Sequence, residues 1–108
     1  MVREIRPREL VGRLAAGEPV YLLDVRQPWE HATAALPGSH LVPLDELALR
    51  AEDVAPLPGA AVVVYCHHGI RSRSAAALLE HLGFRDVLSL AGGIDAWSVQ
   101  VDPEVPRY

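Results

Sequence analysis

Residues 62–82 constrain the fold more than any other stretch. Val62-Val63-Val64-Tyr65-Cys66 is a β-branched and aromatic run that ends in the only cysteine of the chain. An apolar run of that length with no alternation suits a strand buried on both faces, as in a parallel sheet. A short loop with one glycine follows. Ala75, Leu78, Leu79 and Leu82 then repeat at i, i+3, i+4 and i+7, the stripe of an amphipathic helix. Gly83 is placed to stop that helix, with Phe84 packing back on Leu79. Strand, tight loop and helix put Cys66 at the carboxyl end of a strand, where open α/β sheets bind their ligands.

The loop has the physics of an anion cradle. The first N–H groups of a helix lack intrahelical acceptors and carry partial positive charge. A tight turn running into the helix aims further N–H groups at the same point. A sulfur held there is favoured as thiolate, and Arg71 adds a fixed positive charge. Gly69 supplies a backbone conformation that other residues resist and lets the chain approach the sulfur closely. A lone cysteine after an apolar strand is commonly a small core residue. Its combination with a glycine loop, an arginine and a helix start makes Cys66 a candidate nucleophile instead.

Composition sets outer bounds. A chain of 108 residues with half its residues hydrophobic makes one domain, residues 1–108, with a modest core. The formal charge of −4 and the scattered arginines offer no basic stripe for nucleic acid. No apolar run approaches membrane-spanning length, and the first residues do not lead into a signal-like segment. One cysteine excludes an internal disulfide and suits a reducing, cytoplasmic setting.

Elsewhere the chain alternates strand and helix signals. Val2 to Ile5 reads as a short edge strand. Pro7, Leu10, Val11 and Leu14 form one helical face with proline in the first turn, and Gly17 is a plausible stop. Val20 to Val25 reads as another strand buried on both faces. Asp24 and Arg26 at its end face the same crevice as Cys66. Two readings stand for them: a pair that fixes the following loop, or side chains that line the pocket. Glu30 and His31 fall on a short helix after Pro28, with His31 read as solvated. His40-Leu41-Val42 is a short strand, Leu44 to Arg50 forms one or two helical turns, and residues 55–59 are a loop. Residues 86–90 form the last strand. Gly92-Gly93 turns into a short helix that carries Trp97 into the core, and Val99 to Tyr108 is a tail over the surface.

Spacing selects the anion. Four residues lie between Cys66 and Arg71, one fewer than the cysteine phosphatases use to wrap a phosphoryl group, and Ser72 occupies the phosphatase arginine position. Taken with Asp24-Val25-Arg26 and Glu30, Leu36-Pro37-Gly38-Ser39 and Gly92-Gly93-Ile94-Asp95-Ala96-Trp97, the loop resembles that of the rhodanese family of sulfurtransferases. The resemblance covers nearly the whole chain. It departs at Ala34-Ala35, where the family usually carries Gly-His before the Pro-Gly turn.

The resemblance implies an α/β fold, a single domain with a central, mostly parallel sheet flanked by helices on both faces. It implies a sulfurtransferase in which Cys66 takes a sulfane sulfur from thiosulfate or a persulfide and passes it to a thiol or protein cysteine. His67, His68, Gly69, Ile70, Arg71 and Ser72 would then hold the transferred sulfur and donor, with Asp24 and Arg26 at the pocket edge. Ser72 has two readings, a hydrogen bond to the sulfur or a helix cap. Adjacent His67 and His68 do not converge readily on one metal ion with Cys66, so neither metal nor other cofactor is expected. The favoured reading has both histidines exposed and shaping the charge and donor preference of the pocket, and a monomer or weak dimer is the expected state. The alternative is a low-turnover relay or regulatory module of the same fold, working with a partner protein.

Overall fold

The computed structural model describes residues 2–108. Five strands form one sheet: β1 (Arg3–Ile5), β2 (Val20–Asp24), β3 (His40–Leu41), β4 (Ala61–Tyr65) and β5 (Val87–Leu90), in spatial order β1-β5-β4-β2-β3. All four pairings are parallel. Parallel neighbours need crossovers, and four helices take part in them or close the chain: α1 (Pro7–Ala15), α2 (Pro28–Thr33), α3 (Ile70–His81) and α4 (Gly93–Gln100).

The alternation of β4 divides the core. Ala61, Val63 and Tyr65 face one layer with Ile5, Leu10, Ile94 and Trp97, whereas Val62, Val64 and Cys66 face the other with Ala75, Ala76 and Leu79. Every residue of β4 is buried, which accounts for its unbroken apolar sequence. α1 and α4 thus cover one face of the sheet and α3 the other.

Several boundaries and faces differ from the sequence reading. In α3 the buried positions are Ser72, Ala75, Ala76 and Leu79, and Leu82 is 46 % exposed. The small residues face inward because α3 lies close against the sheet, and the leucine stripe is turned partly to its flank. Leu14 of α1 is likewise exposed, the buried face being Pro7 and Leu10. At the end of α3 the Gly83 and Phe84 N–H groups bond the carbonyls of Glu80 and Leu79, the double bond of a Schellman ending. β3 stops at Leu41, one residue short of the expected strand, although the Val42 N–H still bonds Asp24 O. A second 3₁₀ turn at Ala51–Asp53 follows the one at Leu44–Glu46, tied by Arg50 to both Glu46 and Asp53. α4 continues through Val99 to Gln100, so the tail begins later than expected, and its Val105 enters the core.

Candidate active site

Cys66 sits one residue beyond β4, 1 % exposed, with its side chain turned toward α3. Its sulfur takes the place that a capping oxygen occupies on other helices. Gly69, at the N-cap of α3, donates its N–H to Cys66 Sγ at 3.1 Å, and Ser72 N–H does so at 3.3 Å. The Cys66 thiol donates in turn to Ser72 Oγ at 3.5 Å, and Ser72 Oγ lies 2.8 Å from Ser89 Oγ on β5. Ser72 is therefore not the cap of the helix. It sits three residues in, on the sulfur and anchored to the sheet.

Two carbonyls of the same loop, those of Cys66 and His67, point elsewhere. Cys66 O accepts from Ile94 N–H at 2.9 Å and His67 O from Asp95 N–H at 3.1 Å, so the start of α4 holds the loop from below. A Cβ on Gly93 would fall against both carbonyl oxygens, and Gly93 has φ +64°. Gly69 has φ +97° and lies against the Gly92 backbone. Both positions need glycine for geometry as well as for conformation.

Arg71 leaves the loop toward α2, where Glu30 grips it: Nη1 to Oε1 at 2.7 Å and Nη2 to Oε2 at 2.9 Å. The forked pair holds the Glu30 carboxyl at about 2, well below the ordinary carboxylate range, chiefly through the Arg71 hydrogen bonds and despite its burial. The same bonds keep Arg71 firmly protonated.

Asp24 and Arg26 are fully buried and bonded to one another, at 2.9 Å from Nε and 2.7 Å from Nη2. Arg26 also donates to Ala34 O, stitching the end of β2 to the chain after α2. This geometry is that of the loop-fixing pair, with no exposed side-chain surface for a donor to touch. His31 is not simply solvated as expected: its Nδ1 lies 2.8 Å from Asp24 Oδ2. The turn that departs at Ala34-Ala35 is held by Tyr65, whose hydroxyl accepts Leu36 N–H and meets Ser39 Oγ at 2.8 Å.

His67 and His68 stack on each other, with ring centroids 3.9 Å apart. Burial and the neighbouring His68 lower the pKa of His67, keeping it neutral near pH 7. The residue that sequence reasoning missed is Tyr108. Its ring lies flat on His67, centroids 4.0 Å apart, and its hydroxyl bridges Arg26 and Glu30. No periodicity or motif marks a tyrosine after a proline-bearing tail, so only the tertiary fold brings it here. Ile70 and Trp29, 77 % and 63 % exposed, stand around this mouth as apolar side chains.

A surface cavity of about 290 Å³ lies elsewhere, at the amino ends of the strands, lined by Val20, Tyr21, His40 and Leu57 among others. Its lining contains no cysteine, serine or threonine. The chemistry collects at the carboxyl ends, around Cys66.

The family model of the rhodanese-like domain matches residues 6–100 of the chain. The chain belongs to the rhodanese-like family. Rhodanese-like relatives differ in how much else they carry. The probable adenylyltransferase/sulfurtransferase MoeZ of Mycobacterium tuberculosis is 39 % identical over 105 residues, 96 % of this chain and 26 % of that protein. The chain thus spans about a quarter of that larger relative. A sulfurtransferase of Allochromatium vinosum is also 39 % identical, over 91 % of this chain and 90 % of its own. Among solved structures, the human single-domain sulfurtransferase TSTD1 superposes with a TM-score of 0.77 at 28 % identity, covering 93 % of this chain and 98 % of that one.

Proposed function

We propose that this rhodanese-like protein is a sulfurtransferase that works through a persulfide on Cys66. The reading is carried by one observation: two backbone N–H groups of a helix start converge on the cysteine sulfur, while the Cys66 and His67 carbonyls bond the start of α4 instead. Fixed dipoles of this kind stabilise negative sulfur without reorganising during the reaction. The names of the Allochromatium and human relatives support the same reading.

In the first half-reaction the Cys66 thiolate attacks the outer sulfur of a donor such as thiosulfate. A new S–S bond forms, the donor's S–S bond breaks, and sulfite leaves with the electron pair. In the second, a nucleophilic acceptor attacks the outer sulfur, the Cys66–S bond breaks, and the thiolate is restored. The reaction is covalent catalysis by double displacement. Gly69 and Ser72 hold the Cys66 sulfur, and the remaining N–H groups of residues 67–71 surround the outer one. Arg71 attracts the anionic donor and steadies the leaving anion. Asp24 and Arg26 act through the loop they fix, and the reaction draws on no cofactor.

Intact-protein mass spectrometry after brief exposure to thiosulfate tests this reading. A gain of one sulfur atom, removed by cyanide and absent in Cys66→Ala, is the expected result. No gain on folded protein would overturn thiosulfate as donor. The second reading, a relay that accepts sulfur only from a docked partner protein, is favoured by the exposed Ile70 and Trp29 at the mouth. It predicts no loading from thiosulfate but loading from a protein persulfide. A phosphatase is disfavoured, since the loop has four residues rather than five between Cys66 and Arg71.

A further inference from the structure

Tyr108 joins two charged pairs that would otherwise be separate. Its hydroxyl accepts from Arg26 Nη1 at 2.7 Å and donates to Glu30 Oε2 at 2.7 Å. Beyond Arg26 lies buried Asp24; beyond Glu30 lies Arg71, 36 % exposed at the mouth. The result is one row of groups, Asp24, Arg26, Tyr108, Glu30 and Arg71, running from the end of β2 to the edge of the catalytic loop. Tyr108 is also the wall on His67, the residue next to Cys66.

We infer that Tyr108 is a positioning residue of the site: it anchors the Glu30 carboxylate that carries Arg71, and so sets how strongly the site prefers anionic over neutral sulfur donors. The inference deepens the sulfurtransferase reading and rests on it for the word donor.

Two physical effects point the same way. Each oxygen of Glu30 serves two donors, Oε1 bonding Arg71 and the Gln27 N–H, Oε2 bonding Arg71 and Tyr108. Without the Tyr108 hydroxyl, Oε2 keeps one donor and the clamp on Arg71 can turn about Oε1. The hydroxyl, polarised by the Arg26 guanidinium, also draws off part of the Glu30 charge. Removing it leaves Glu30 compensated by Arg71 and the Gln27 N–H only, which lowers the net positive potential at the mouth. Both effects penalise an anion and leave a neutral molecule alone. The Tyr108 hydroxyl is itself pushed up to about 12, chiefly by burial, so it remains a donor throughout the working range.

The test compares alkylation of Cys66 by iodoacetate and by iodoacetamide in the wild type, Tyr108→Phe and Tyr108→Ala. Tyr108→Phe keeps the ring on His67 and removes only the hydroxyl. It is expected to lower the iodoacetate-to-iodoacetamide rate ratio roughly three- to tenfold, the scale of one lost charge-assisted hydrogen bond. The iodoacetamide rate should stay within about twofold, and with thiosulfate as donor the loss should fall on KM rather than kcat. Tyr108→Ala is expected to show the same fall in ratio, with faster attack by both reagents as the His67 face opens. An unchanged ratio in Tyr108→Phe, or equal slowing by both reagents, would overturn the inference and leave Tyr108 a packing residue. Because alkylation needs no sulfur transfer, the two readings separate. A lowered ratio in a protein that never loads sulfur would sink the sulfurtransferase and keep the charge row; loading with an unchanged ratio would do the reverse.

Discussion

Arg71 and Glu30 form a pair whose members have different tasks. On the proposed mechanism Arg71→Ala removes the charge that meets an anionic donor, so kcat/KM for thiosulfate should fall by about tenfold or more, with a much smaller loss for a neutral persulfide. Equal losses with both donors would remove Arg71 from anion binding. Glu30→Gln tests the pair as structure. The Glu30 carboxyl lies at about 2 in the fold against an ordinary value of 4.5, and its side chain is 5 % exposed. A lowered folded pKa means stability that is fully present above the unfolded value and lost as pH falls toward about 2, on the order of 3 kcal/mol. Urea unfolding of the wild type and Glu30→Gln should therefore differ most near neutrality, and the difference should shrink steadily below about pH 4.5. A difference independent of pH would show that the carboxylate charge does not matter. Cys66 and Arg71 are legible because a glycine loop and a helix start follow the cysteine at a set spacing, and Glu30 is legible only as part of the motif that carries the family resemblance. The partners of those charges are not legible. Nothing local says that Glu30 rather than Asp24 meets Arg71.

Among the elements, the candidate active site is a junction of two helix starts. α3 aims N–H groups at the Cys66 sulfur, and α4 takes the carbonyls that the same loop must dispose of. A side chain at residue 93 breaks this junction. Gly93→Ala should destabilise the fold by about 2–4 kcal/mol, combining left-handed strain with the clash against Cys66 O and His67 O. It should also slow Cys66 alkylation by displacing the loop; chemical unfolding and the alkylation rate measure the two effects separately. Ala76→Leu, on the buried face of α3, should cost about 1–3 kcal/mol by forcing the helix off the sheet. The helix itself is readable from its period, but its inward face is not. The leucines Leu78 and Leu82 outweigh the alanines in a hydrophobic stripe, whereas close approach to the sheet selects small residues.

The whole molecule is a five-stranded parallel sheet with β4 at its centre, flanked by β5 and β2, with β1 and β3 at the edges. Native-state hydrogen exchange should follow that order: amides of β4 the slowest, those of β1 and β3 the fastest among strands. Edge amides as protected as those of β4 would contradict the layering. No helix among the described residues is long and apolar enough to cross a membrane. Local grammar is written in the amino acids: strand, cysteine loop and helix, the parallel class of the sheet, and the register of Cys66 and Arg71. These rest on periodicity, glycine and spacing, which act between near neighbours. Packing of the folded chain settles that Ser72 faces the sulfur, that Asp24 and Arg26 turn inward on each other, and that Tyr108 returns across 82 residues to Arg26. Those outcomes depend on which buried donors and acceptors are left to be satisfied once the layers close, and that is a property of the assembled fold.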